Sequence, residues 1–179
     1  DQENRIILFE RQQRVGRKLL STGNGRCNLT NTGAAPENYH GAHPDFAVPA
    51  LKKYPPAAVL EFFGELGLVT AEEYGGRVYP LSNSANSAAD VLRFALEKPN
   101  IQVRTDCPVR EVRRKNGGFE LAAGEDTAAA DFVVVACGGC AGAKLGGVKD
   151  GYEILKFLGH RRTGLYPSLV QLTSDSPYP

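Results

Sequence analysis

The chain has 179 residues, 42% of them hydrophobic and 23% charged, with a formal net charge of +1. That length and composition suit a globular domain with its own core and exclude disordered and fibrous classes. A charge so close to zero creates no global field for a polyanion, and the longest apolar runs are strand-sized, so neither a nucleic-acid nor a membrane partner is expected.

Four cysteines, at positions 27, 107, 137 and 140, are too few for a disulfide scaffold of this length and suit a reducing cytoplasm. Cys137-Gly-Gly-Cys140 has the CxxC spacing of a zinc or redox half-site. A zinc site needs further ligands at matching spacing, and Cys27 and Cys107 stand alone, so the pair reads as small residues in a glycine-rich turn. No signal peptide is visible. The chain contains no Met, begins almost at once in a strand and stops just after another strand-like run, so both ends read as cut.

In chain order, residues 5–9, Arg-Ile-Ile-Leu-Phe, form a short apolar run fitting a buried parallel strand that ends at Glu10. Residues 16–31 hold three glycines among Ser, Thr and Asn and read as loop with one helical turn at 17–20; loop continues to Pro44. Residues 46–54 and 56–66 read as a helical pair, the second with Val59, Phe62, Phe63 and Leu66 on one face. Gly75-Gly76 marks a hairpin within 69–80, and Ser87 with Asp90 three residues on predicts a capped helix over 88–97.

Beyond Pro99-Asn100 the period becomes two: Ile101 and Val103, Val109 and Val112, then Phe119 and Leu121 after Asn116-Gly117-Gly118. This predicts an antiparallel meander. Residues 132–136, Phe-Val-Val-Val-Ala, read as a second buried strand of the parallel sheet. A helix is expected over 150–158, ended by Gly159, and a further strand-like run lies at 169–172.

Three features carry chemistry. Glu10 closes a buried strand, where a dinucleotide-binding fold places the acid that receives ribose hydroxyls. A Gly-x-Gly-x-x-Gly turn should precede such an acid and is not in this chain. The second feature is the strand running into Cys137-Gly138-Gly139, where small residues let backbone approach a ligand. The third is the 16–31 block, with Arg17, Lys18 and Arg26 as cations among many donors. For each there is an ordinary structural reading: a solvated loop glutamate, a tight turn, a basic loop.

Glu10-Arg11, then Gly16-Arg17-Lys18-Leu19-Leu20, then Gly23-Asn24-Gly25-Arg26-Cys27-Asn28-Leu29-Thr30-Asn31 closely resemble the signature of the bacterial BaiN-like flavoproteins, an NAD(P)/FAD-dependent, aminoacetone oxidase-like oxidoreductase family. Gly76-Arg77-Val78-Tyr79-Pro80, Ala136-Cys137-Gly138-Gly139, Gly147 to Tyr152 and Leu165-Tyr166-Pro167 follow in the family's order. The resemblance covers essentially the whole chain. It implies an α/β, glutathione-reductase-type FAD-binding fold: a Rossmann-like parallel sheet, an antiparallel β meander over about 107–130 and a helical insertion over about 46–98. It also implies that the domain is incomplete, with residues 1–166 a partial FAD-binding domain and 167–179 the start of a second, substrate-side domain.

Residue by residue, the resemblance puts Glu10 on the adenosine ribose with Arg11 beside it, and Val109 against the adenine. Gly16, Arg17, Lys18, Ser21, Gly23, Gly25, Arg26 and Cys27 fall along the pyrophosphate and flavin ring, and Ala136, Cys137, Gly138 and Gly139 in the turn beside the cofactor. Cys137 stands where the family has Thr, so no hydroxyl is available there. No catalytic residue is assigned; Tyr79, Cys27 and Lys18 are the polar candidates. The expected activity is an FAD-dependent oxidation or reduction of a small organic or steroid-like molecule, with NAD(P)H as electron donor. Two alternatives remain: an RNA-modifying flavoprotein, and a nucleotide-binding module without catalysis.

Overall fold

A computed structural model describes residues 3–166. The run at 169–172 and the expected second-domain start at 167–179 lie outside the described residues. None of the described helices is long and apolar enough to cross a membrane.

The first strand, β1 (Ile6–Phe9), is followed by a 3-10 segment over Leu19–Gly25, the two-residue β2 (Thr30–Asn31), and the helices α1 (Val48–Lys53) and α2 (Pro56–Glu65). Next come β3 (Thr70–Glu73), β4 (Arg77–Pro80) and α3 (Ala85–Ala95). The rest is β5 (Ile101–Arg104), β6 (Val109–Lys115), β7 (Gly118–Ala123), β8 (Asp126–Ala130) and α4 (Asp150–Phe157). Among the described residues this is an α/β architecture with three small sheets: β1 parallel to β5, the order β2-β4-β3, and the meander β6-β7-β8.

Turn chemistry accounts for the meander. Asn116 and Gly117 have φ of 51° and 82°, the two left-handed residues that a two-residue hairpin loop requires, and they join β6 to β7. The register slips between Val109 and Glu111, so Arg110 is the extra residue of a bulge at the start of β6.

Three sequence expectations are corrected. Ile101 and Val103 do not open the meander; β5 pairs in parallel with β1, Ile6 opposite Ile101 and Phe9 opposite Arg104. Period-two alternation reports an extended, half-buried segment and carries no information about the direction of its partner. The helix α3 begins at Ala85, three residues before the expected start. Ser84, in the extended conformation, accepts from the Asn86 N–H as N-cap, while the Ser87 hydroxyl instead pairs with that of Ser82 at 2.6 Å.

The third correction concerns residues 132–136. They are not fully buried, and among the described residues they are not hydrogen-bonded into a sheet: Phe132 and Val134 are 87% and 88% exposed. Val133 and Val135 alternate with them and pack inward. No backbone group from 132 to 136 donates or accepts a hydrogen bond among the described residues.

Two apolar clusters hold the elements. One gathers Cys27, Leu68, Ala85 and Ala88 with Leu19, Leu29, Phe63 and Val91, and so docks the 16–31 loop onto α2 and α3. The other gathers Val112, Leu121 and Ile154 with Phe9, Val109, Val133 and Val135, and so packs the meander against α4, β1 and the 132–136 run. That second cluster brings the ends of β1, of 132–136 and of α4 together.

Candidate functional site

The C-terminal end of β1 is the natural starting point, because ligands of open α/β sheets bind beyond the carboxyl ends of parallel strands. Glu10 sits there half-buried, and one carboxylate oxygen accepts the Gln12 N–H at 2.8 Å. The other carboxylate oxygen has no partner among the described residues. Glu10 is anchored to the β5–β6 connection through its carbonyl, which accepts from the Cys107 N–H at 3.0 Å.

Next to it lies a shallow groove of about 440 Å³ lined by Arg11, Pro108, Val109, Arg110, Asp150 and Glu153. Its volume falls in the range of small-molecule sites. Arg11 crosses it to pair with Asp150 in the first turn of α4, Nη1 to Oδ2 at 3.3 Å. The Arg110 bulge presents an arginine to the same groove as Val109. Arg11 and Val109 are thus brought together with Glu10 nearby in the chain. Arg110, Asp150 and Glu153 are lining residues that sequence reasoning did not single out. The Asn-Gly turn fixes the register of β6, but the bulge that turns Arg110 has no signature of its own.

Gln12 was likewise not singled out from the sequence. Besides its bond to Glu10, its side-chain oxygen accepts from Arg17 Nη1 at 2.7 Å and its carbonyl accepts from the Asp106 N–H at 3.0 Å. It links the end of β1, the 16–31 loop and the end of β5. A glutamine in a polar run such as Glu10 to Arg14 gives no cue in sequence, because its three bonds are made to partners set by the fold.

The 16–31 loop divides into two parts. Gly23, Asn24 and Gly25 all have left-handed φ, 54°, 56° and 83°, which is why the motif needs Gly-Asn-Gly here. A Cβ at Gly23 would fall 2.7 Å from the Asn28 backbone nitrogen. Ser21, Gly23 and Gly25 are exposed on this turn. The turn then sends Arg26 and Cys27 inward: Cys27 is 2% exposed in the first cluster, also at left-handed φ, 61°.

Arg26 lies over the Tyr79 ring at 3.9 Å and is held by Glu73 and Asn83. The hydrogen bond that Arg26 donates to the Glu73 carboxylate, the largest influence, raises the guanidinium pKa above its ordinary value. Tyr79 is itself buried beneath Arg26. These residues seat the loop on β4.

The other part of the loop faces the glycine turn. Gly16 and Arg17 are exposed, and the half-buried Lys18 donates from Nζ to the Gly139 carbonyl at 3.2 Å. Gly138 has φ of 72°, and a Cβ there would come within 3.0 Å of Lys18 Nζ; a Cβ on Gly139 would come within 2.7 Å of the Tyr152 hydroxyl. Gly138 is required by its left-handed backbone, and at both glycines the loop on one side and α4 on the other bring a side-chain end close. Ala136 and Cys137 are exposed, and the Cys137 sulfur abuts Gly151 in the first turn of α4. The four cysteines are free thiols, and the described residues contain no cluster able to hold a metal.

The arrangement offers one end of a parallel sheet with a half-free carboxylate, a groove of mixed polarity, a glycine turn whose backbone N–H groups from 137 to 139 have no partner among the described residues, and several cations. Such a set can bind an extended, polyhydroxylated anion: hydroxyls on the carboxylate, phosphoryl oxygens on backbone donors and cations.

Comparison with known proteins is in keeping with this geometry. The HI0933-like protein Rossmann domain matches residues 1–165. A 3-dehydro-bile acid delta(4,6)-reductase of Clostridium scindens is 37% identical over 172 residues, 96% of this chain and 42% of that protein. A ribosomal RNA dihydrouridine synthase of Escherichia coli is 30% identical over 173 residues, 97% of this chain and 43% of that protein. One of the same description from Haemophilus influenzae is 25% identical over 158 residues, 86% and 39%. The chain thus spans about two fifths of the length of the curated relatives it matches.

Proposed function

Since this chain belongs to the HI0933-like Rossmann-domain family, we propose that it is the FAD-binding part of a flavin-dependent oxidoreductase of the BaiN-like kind, reduced by NAD(P)H and acting on a small organic or steroid-like substrate. The observation that carries the reading is the meeting of three separated segments at one place. The end of β1 with Glu10 and Arg11, the loop holding Lys18, and the Gly138–Gly139 turn are joined by the Lys18–Gly139 and Arg11–Asp150 contacts.

The residues present fit such a cofactor. The free oxygen of Glu10 would take ribose hydroxyls, the groove beside Pro108 and Val109 has an apolar wall for the adenine, and the glycine turn offers donors where a Cβ would obstruct approach. When bound, the flavin supplies the redox chemistry, and the chain binds and orients it and sets its electrostatics. Likeness to the bile acid reductase favours a steroid-like unsaturated substrate.

The test is direct. Full-length protein is expected to bind FAD, to show flavin absorbance in the visible, and to lose that absorbance when NADH or NADPH is added without oxygen. Full-length, folded protein that neither carries nor takes up FAD would overturn the reading.

A second reading keeps the flavin and changes the substrate to RNA. It is favoured by the two relatives described as ribosomal RNA dihydrouridine synthases, and disfavoured by the net charge of +1. Salt-sensitive retention of ribosomal RNA by the full-length protein would choose it.

A further inference from the structure

The two thiols of Cys137-Gly138-Gly139-Cys140 have no part in the FAD reading. Both are free, Cys137 exposed and Cys140 half-buried, so an oxidant in solution reaches the pair from the Cys137 side. The other cysteines differ: Cys27 is 2% exposed in the core, and Cys107 has no second thiol near it in the chain. With no third ligand beside them among the described residues, the two thiols suit each other rather than a metal.

A disulfide needs its Cα atoms about 4.4–6.8 Å apart, and a β-turn brings its first and fourth residues within about 7 Å. Gly138 has φ of 72° and Gly139 has no positive φ, the order of signs that a type II′ turn requires at its two central positions. The turn is nevertheless open, since among the described residues the Cys140 N–H makes no bond to the Cys137 carbonyl. Two contacts accompany the open form: Lys18 donates to the Gly139 carbonyl at 3.2 Å, and the Cys137 sulfur packs against Gly151. Closure needs backbone rotation within the run, and the two glycines permit it with no Cβ in the way.

We infer that Cys137 and Cys140 are a reversible dithiol–disulfide pair, and that closing it withdraws the Gly138–Gly139 turn from the loop that carries Lys18. In the oxidation, the Cys137 thiolate attacks one sulfur of a small disulfide. That S–S bond breaks, and the small thiolate leaves and takes up the proton that Cys137 gave off. Cys140 then attacks the Cys137 sulfur of the mixed disulfide and releases the second small thiol in the same way. Two protein thiols thus lose two electrons and two protons, and the small disulfide becomes two thiols. Exposure sets the order: Cys137 meets the oxidant and Cys140 resolves the intermediate. The consequence for the cofactor rests on the FAD reading above, whereas the sulfur chemistry stands apart from it.

The experiment equilibrates full-length wild type, Cys137→Ser and Cys140→Ser in buffers of reduced and oxidised glutathione, quenches them in acid and maps them by mass spectrometry. Wild type is expected to lose two hydrogens in the peptide holding residues 137–140 and to regain them with dithiothreitol, while Cys27 stays unmodified in the folded protein. Cys140→Ser should stop with glutathione bound at Cys137. Amide exchange over 137–140 should slow in the disulfide form as the turn closes. That form should also bind FAD about 10-fold more weakly than the dithiol, while the affinity of Cys137→Ser does not respond to the buffer.

A dithiol that persists at equilibrium in oxidised glutathione would overturn the inference, as would glutathione bound first at Cys140. So would a disulfide that leaves amide exchange and FAD affinity unchanged, because the pair would then not govern the turn. Reduced wild type that takes up no FAD would fail the FAD reading itself, and the mass map and amide exchange would still decide the thiol pair.

Discussion

In the first turn of α4, Gly151 is buried against the Cys137 sulfur, and a Cβ placed there would lie 2.5 Å from that sulfur. In an exposed helix, Gly→Ala is stabilising by about 1 kcal/mol; here overpacking should win. Gly151→Ala is expected to lower stability by about 1–3 kcal/mol in urea unfolding. Adding Cys137→Ala should recover most of it, because the clash is with the sulfur alone. A Gly151→Ala variant as stable as wild type would remove this contact as the reason for the glycine.

Glu10 allows a complementary test. Glu10→Gln keeps an acceptor for the Gln12 N–H, so stability should hold, while FAD affinity should drop about 10-fold as charge-assisted bonds to ribose become neutral ones. At this scale the sequence was readable where backbone conformation constrains residue type, as at Gly23, Asn24 and Gly25. It was not readable at Gln12 or Arg110, whose parts come from partners distant in the chain. Arg26 and Cys27 are an intermediate case, since the motif marked them but only packing revealed that Arg26 is seated on Tyr79 and Cys27 in the core.

The elements show what sets a helix start. The sequence pattern pointed to Ser87 as the cap, but Ser84 has the extended backbone and the bond to the Asn86 N–H. Ser84→Ala should therefore cost about 1 kcal/mol in denaturant unfolding and Ser87→Ala clearly less, and the reverse order would move the helix start back to the expected position. The meander was legible because Asn116-Gly117 dictates a tight hairpin and the alternation on either side sets the register. The identity of β5 was not, because an alternating strand looks the same whether its partner runs parallel or antiparallel.

Among the described residues, 132–136 present an extended face with two exposed large side chains and no backbone partner, and β1 pairs with β5 alone. Amide exchange in this 179-residue chain should be fast for 132–136 and slow for the central meander strand β7, and equal protection of the two would contradict the described pairing. Hydrophobic pattern alone read this run as buried because it reports how apolar a segment is, not which side chains of it face solvent. The pairing of β1 with β5 has a further consequence in time. Ile6 meets Ile101, 101 − 6 = 95 residues later. At the usual pace of synthesis the first strand emerges roughly 5–20 s before its partner exists. During that interval Ile-Ile-Leu-Phe lacks the strand it pairs with here, which makes it a natural point of attachment for a chaperone.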